Sequence, residues 1–205
     1  MVKKDLPDIN TAKYWDELYL KGGERVGSWK NIKPFLDYEI ENKLKNTDET
    51  ISMIDVGGYT GYSVRQAKND FPKLEAWNLD ISPVAVEDGK RLHPEIKQVL
   101  FDINKDVSPL NFEGKFDFIL MQDVMEHLPE PIEMLGKLYK WLKKDGILWV
   151  NSPHDEGDWG SKEHLFKEFN HDDVHSFWEV CPEICMCNFK NYNEELQVAF
   201  KIRKR

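Results

Sequence analysis

The sequence has 205 residues, 40% of them apolar, with no break in composition along it, which fits one domain spanning 1–205 better than two small ones. A formal net charge of −9 argues against a duplex-binding protein, which needs a basic face to displace counterions from phosphates. The opening MVKKDLPDIN lacks an apolar h-region and no run approaches the roughly 18 apolar residues of a spanning helix, so the expectation is a cytoplasmic protein with no membrane segment.

Residues 1–46 read as N-terminal helices packed on the core. Tyr14, Trp15, Leu18 and Tyr19, a glycine-containing turn, and then Ile32 to Leu44 at helical spacing predict two of them, since about forty residues seldom fold alone. From Ile51 onward, short β-rich runs alternate with helical segments. Strands are predicted at Ile51–Val56, Leu74–Leu79, Ile96–Phe101, Phe116–Met121 and Gly146–Asn151. Between them, Tyr62–Asn69, Pro83–Arg91 and Pro131–Leu142 have helical spacing, and two begin with the proline that a first helical turn tolerates. Lys143, Lys144, Asp145 and Gly146 then supply cations and a glycine turn to end the third helix.

After Asn151 the chain turns polar. Ser152–Asn170, with Pro153, Gly157 and Gly160, is long for a plain connection, and residues 152–170 are expected to form a lid or acceptor loop. Its plain alternative is a surface crossing with Trp159 and Phe166 tucked into the core. A helix over Asp172–Val180 leads to Ile184–Phe189 and Leu196–Ile202, read as an antiparallel pair joined by Lys190–Glu194. Cys181, Cys185 and Cys187 are odd in number and lack a second cluster to complete a zinc site, so they read as reduced thiols. Lys201, Arg203, Lys204 and Arg205 read as a solvated basic end. The sum is an α/β fold: a doubly wound, seven-stranded, mostly parallel sheet with a C-terminal antiparallel strand pair.

A strand ending in Asp55, followed by Gly57, Gly58 and Gly61 and then a helix, is an arrangement in which backbone approaches a ligand closely. A tight strand-to-helix turn is the plain alternative. The next strand ends in Asp80, where a carboxylate can accept both hydroxyls of a ribose, and the third ends in Asp102, which can accept from an exocyclic amine. Ile81 and Ile103 offer apolar faces to a purine ring. There is no GxGxxG, which argues against a nicotinamide dehydrogenase.

With these residues in view, the chain resembles the class I S-adenosylmethionine-dependent methyltransferases from Ile51 to the C-terminus. IDVGGYTGYS resembles their glycine motif, NLDIS the ribose-binding motif, FDIN the adenine-binding motif, FDFILMQDVMEHLPEP the fourth-strand motif and LKKDGILWV the fifth-strand motif. The resemblance implies a Rossmann-like fold and S-adenosyl-L-methionine as cofactor. Gly57 to Gly61 would then lie against its methionine part, Asp80 on the ribose, Asp102 and Ile103 on the adenine, and Gln122 and Asp123 would face it from the fourth strand. One departure stands out: where the family often has DxGxGxG, Tyr59 replaces the middle glycine, which bears on the loop's local path and offers a partial roof for the cofactor.

The donor's methyl group is already a good electrophile, so the protein mainly aligns the reactants and excludes water. For a hydroxyl acceptor a base helps, and His127 in MEHLPEP, with Asp123, is the first candidate; a structural hydrogen-bonding role competes with it. His154, His164, His171 and Glu126 are further candidates. Asp123, Glu126 and His127 form DxxEH, similar to an ExxEH stretch that binds a divalent metal in some relatives, but the expectation is a site without metal. Tyr14, Trp15 and Trp29 are placed to close over the cofactor or to pack in the core. A small-molecule acceptor at oxygen or nitrogen, such as a glycan or secondary-metabolite precursor, is the first reading, and nucleic acid is not expected. An RNA or protein methyltransferase and a non-catalytic cofactor-binding protein stay open as alternatives, and neither the acceptor nor the oligomeric state is legible.

Overall fold

The computed structural model describes residues 10–22, 27–105, 110–153, 184–190 and 196–205. Strand β1 (Ser52–Val56) is buried along its whole length, and its pleat divides its side chains between two cores. Met53 packs on one face with Phe118 and Leu120 of β4 (Phe116–Gln122) and Ile147 and Trp149 of β5 (Leu142–Pro153). Ile54 and Val56 pack on the other with Ile119 and Met121 of β4 and Leu148 and Val150 of β5. Both faces are apolar because both are covered. Helix α2 (Gly27–Lys45) lays Trp29, Ile32, Leu36 and Ile40, three or four residues apart, on the first; α5 (Pro131–Trp141) lays Met134, Leu135, Leu138 and Trp141 on the second.

The sheet order is β3-β2-β1-β4-β5-β7-β6, with β2 (Glu75–Asp80) and β3 (Lys97–Leu100) on one side of β1. These strands, β1, β4 and β5 run parallel, whereas β7 (Leu196–Arg203) pairs antiparallel with both β5 and β6 (Ile184–Lys190). The result is a mostly parallel, Rossmann-like sheet with an antiparallel C-terminal pair. Strand order reverses between β1 and β4, and in such sheets ligands bind outside the strand ends at that point.

Helices α3 (Tyr62–Asp70) and α4 (Pro83–Leu92) connect the first three strands, and α1 (Ala12–Gly22) lies against α4. Both predicted N-terminal helices are thus present. The fifth strand departs from its expected start at Gly146. Leu142 is fully buried and paired with Phe116, so the strand begins where the helix stops. Register shifts between Phe116 and Phe118, Asp145 takes φ 60°, and its N–H donates to the Lys204 carbonyl at 2.7 Å. The KKDG turn chemistry is therefore spent on an irregularity inside β5. The expected helix at 172–180, the 154–170 part of the expected lid, and most of the 190–194 loop lie outside the described residues, as does Cys181.

At the foot of β4, Asp117 is 4% exposed. It accepts from the Ser52 N–H at 2.9 Å and is paired with Lys143 at 2.7 Å and Lys43 at 3.0 Å. Burial by itself would raise its pKa, but the two ammonium groups and the Ser52 N–H outweigh it and hold the carboxyl below the usual range. Among the described residues, no helix is long and apolar enough to cross a membrane.

Candidate functional site

The turns that follow β1, β2 and β3 face one cleft of about 600 Å³, open to solvent. The first turn is built on left-handed backbone at alternate positions: φ is 78° at Gly57, 52° at Tyr59 and 86° at Gly61, which begins α3. These are the three positions of the DxGxGxG pattern, and the tyrosine at the second takes left-handed backbone as the glycines on either side do. An L-residue pays on the order of 1 kcal/mol for that conformation, and the surroundings tie it down. The Tyr59 N–H donates to Asp80 Oδ2 at 2.8 Å, and its carbonyl accepts from Asn78 Nδ2 at 2.7 Å.

Asp80 closes the cleft floor. It is 5% exposed and lines the cleft, accepting from the Tyr59 N–H through Oδ2 and from the Ser82 N–H through Oδ1 at 2.8 Å. Burial pushes its pKa up to about 6, against the pull of the Ser82, Tyr59 and Ile81 N–H groups, and Asp16 adds repulsion. Asp55, 2% exposed, is pushed up to about 7, first by burial and then by the Asp80 charge, while a hydrogen bond with Ser63 opposes both. Ser63 Oγ also accepts from Gln122 Nε2 at 3.4 Å, leaving the buried Gln122 Oε1 without a protein partner.

The second and third turns supply Ile81, Phe101, Asp102, Ile103 and Asn104 to the cleft. Asp102 is partly buried and accepts from the Asn104 N–H at 3.1 Å, a local turn bond that leaves one carboxylate oxygen to a 3.8 Å approach of Lys105. On the opposite wall, Asp123 follows β4 with φ 51°. Asn151 holds it twice, accepting from its N–H at 2.9 Å and donating from Nδ2 to Oδ1 at 3.2 Å. Left-handed backbone at a non-glycine residue beside a cleft is common where function fixes geometry.

His127 lines the cleft from the 3-10 turn Met125–His127. Its ring meets the Trp15 ring edge-on at 4.9 Å, and its carbonyl accepts from Asn10 Nδ2 at 3.2 Å. Trp15 also approaches the Tyr59 ring at 6.3 Å, and the Tyr19 ring stacks on Tyr59 at 5.9 Å. Helix α1 thereby forms one side of the cleft. It is fastened to α4 by Asp16, which accepts from Ser82 Oγ at 2.5 Å and from the Val84 N–H at 3.2 Å, and by the Tyr19 hydroxyl, which donates to Asp88 at 3.0 Å.

Of the residues singled out in the sequence, Gly57, Asp80, Ile81, Asp102, Ile103, Asp123 and His127 line this cleft. Asp55, Gly58, Gly61 and Gln122 stand behind it as its support. A side chain at Gly58 would collide with Asn78 Oδ1 and Asp55, which accounts for glycine there. Asp123 is held by Asn151, whereas Glu126, 1% exposed, accepts from Ser152 Oγ at 2.9 Å and lies 3.8 Å from His127 Nε2. Trp29 is in the core under the sheet rather than over the cleft. His154, His164 and His171 fall outside the described residues. Asn10, Phe101 and Asn104 are cleft residues that the sequence did not single out. Phe101 and Asn104 flank the Asp102–Ile103 pair and follow from that motif, but nothing in the sequence marks Asn10.

Comparison with known proteins places this geometry. A family model described as a methyltransferase domain matches residues 28–195. A malonyl-[acyl-carrier protein] O-methyltransferase from Halalkalibacterium halodurans is 28% identical over 111 residues, 53% of this chain and 41% of that protein. A tRNA U34 carboxymethyltransferase from Sulfurimonas denitrificans is 32% identical over 105 residues, 51% of this chain and 35% of that one. The matched stretch thus spans less than half the length of these relatives. The crystal structure of a TehB-like SAM-dependent methyltransferase from Corynebacterium glutamicum superposes with a TM-score of 0.59 at 17% identity, covering 94% of this chain and 96% of that one. This last likeness is one of fold.

Proposed function

Since the chain belongs to the methyltransferase domain family, we propose that it transfers the methyl group of S-adenosyl-L-methionine to an oxygen or nitrogen atom of a small molecule. The observation that carries the reading is Asp80: a buried carboxylate that lines the cleft together with Ile81 and Asp102 and is fixed by two backbone N–H groups. The residues present fit the cofactor. Asp80 suits a ribose diol and Asp102 with Phe101 and Ile103 suits an adenine, while the buried Asp55 and Gln122, behind the cleft wall, back the glycine loop against which a methionyl group would lie. The bound cofactor would supply the electrophilic methyl carbon. The chain's part is to orient it, to exclude water with Trp15 and Tyr59, and to hold His127 where it can take a proton from the acceptor.

Asp80→Ala removes the charge-assisted hydrogen bonds to the ribose. Calorimetry with S-adenosylhomocysteine should show binding weakened by about 1.5–3 kcal/mol, roughly tenfold to 150-fold. Unchanged affinity would sink the ribose assignment. The relative that carries the tRNA U34 carboxymethyltransferase name supports a second reading, in which the acceptor is RNA. Binding of a tRNA transcript whose affinity falls steeply with salt would favour that reading over the small molecule. No metal is needed in either reading, and a cytoplasmic setting suits both.

A further inference from the structure

We propose that the side-chain amides of Asn78 and Gln98 form a clamp that positions the glycine loop, and that the loop depends on this clamp because residue 59 is tyrosine. Asn78 sits in β2, fully buried, and Gln98 in the edge strand β3, directly opposite it in the pairing register. Asn78 Nδ2 donates both to the Tyr59 carbonyl at 2.7 Å and to Gln98 Oε1 at 2.8 Å. Gln98 Nε2 in turn donates to the Thr60 carbonyl at 2.8 Å. Two consecutive loop carbonyls are therefore held from below by one pair of amides, each aligned by the other.

The packing around the pair points the same way. A side chain at Gly89 of α4 would come within 2.7 Å of both Gln98 Nε2 and the Thr60 carbonyl, and one at Gly61 within 3.2 Å of Gln98 Nε2. The surrounding elements have been kept bare so that the amides can reach the loop. Glycine at position 59 would adopt its φ of 52° without cost, and the clamp would have little to hold. With tyrosine there, the left-handed turn is uphill, and releasing the carbonyls frees residue 59 to return to ordinary backbone. That return would swing its ring out of the cleft wall and break the N–H bond to Asp80.

The effect on binding rests on the cofactor reading above; the clamp itself does not. Two measurements separate them. In the ligand-free protein, Gln98→Met, a change on a half-buried edge position, should speed amide hydrogen exchange at Tyr59, Thr60 and Gly61; unchanged exchange overturns the clamp. In calorimetry with S-adenosylhomocysteine, Gln98→Met, which removes both the bond to Thr60 and the bond from Asn78, should weaken binding by about tenfold in the natural chain. In a Tyr59→Gly background the same change should weaken it by no more than about threefold, because glycine needs no clamp. An equal loss in both backgrounds means the amides act independently of residue 59, and the proposal falls. Asn78→Leu, which keeps the shape and deletes both donors, should repeat the pattern if it folds, and Gln98→Met decides without it. A natural chain that binds no S-adenosylhomocysteine, yet shows faster loop exchange in Gln98→Met, removes the cofactor reading and keeps the clamp.

Discussion

Asp55 and Asp80 share a desolvated corner in which burial raises both, the Asp80 charge raises Asp55 further and the Asp16 charge raises Asp80. Both pKa values are raised, to about 7 and about 6, so the folded chain retains protons that the unfolded chain gives up above pH 4. The sign follows: the penalty these two groups place on folding is small below about pH 4, grows as pH rises from there, and is complete above about pH 7. Asp55→Asn should therefore be more stable than the natural protein at pH 8 by on the order of 1 kcal/mol or more, and the difference should shrink steadily as pH falls toward about 4. His127 makes a different prediction. If it takes the acceptor's proton, His127→Ala lowers turnover and leaves S-adenosylhomocysteine affinity unchanged; normal turnover would return it to a packing partner of Trp15.

Helix α1 forms one side of the cleft. Trp15 and Tyr19, four residues apart, share the face turned to Tyr59, and Asp16 beside them reaches the first turn of α4. Asp16→Ala leaves the Val84 N–H without its side-chain acceptor and should cost about 1 kcal/mol, like the loss of a helix cap. Its specific mark is faster amide exchange within Ala12–Gly22, with the amides of β1 and β4 unaffected. The strands were readable in advance because a parallel sheet covered on both faces demands continuous apolar runs, and ISMIDV and FDFILM are such runs. Helix α1 was readable as a helix but its attachment was not: Asp16 meets Ser82 and Val84 across 66 and 68 residues, and no local pattern encodes that pairing. Likewise the DxGxGxG resemblance located the loop, but a tyrosine in left-handed backbone runs against propensity and depends on Asn78 and Gln98, distant in sequence.

Across the whole molecule the two ends of the sheet respond oppositely to acid. At the C-terminal ends the aspartates are held above their ordinary range; at the foot, Asp117 is held below it by Lys143, the Ser52 N–H and Lys43. The Asp117 contribution is present above the unfolded carboxyl range and is lost as pH falls through its lowered value. Asp117→Ala strands two partly exposed lysines and a strand N–H, and urea unfolding at pH 7 should show a loss of about 2–3 kcal/mol. The carboxylate whose ionisation favours folding thus sits at one end of the sheet and the two whose ionisation opposes it at the other. The crowding of Gly58, Gly61 and Gly89 around one amide pair also bears on how this sequence can drift. Residues 58, 59, 61, 78, 89 and 98 come from one turn, two strands and a helix, yet they occupy a single volume, so most single changes among them are blocked until another has been made. A library randomised at position 59 and sorted for ligand binding should return glycine, asparagine and aspartate beside tyrosine. One randomised at position 98 should return almost nothing but glutamine, until glycine is first installed at 59.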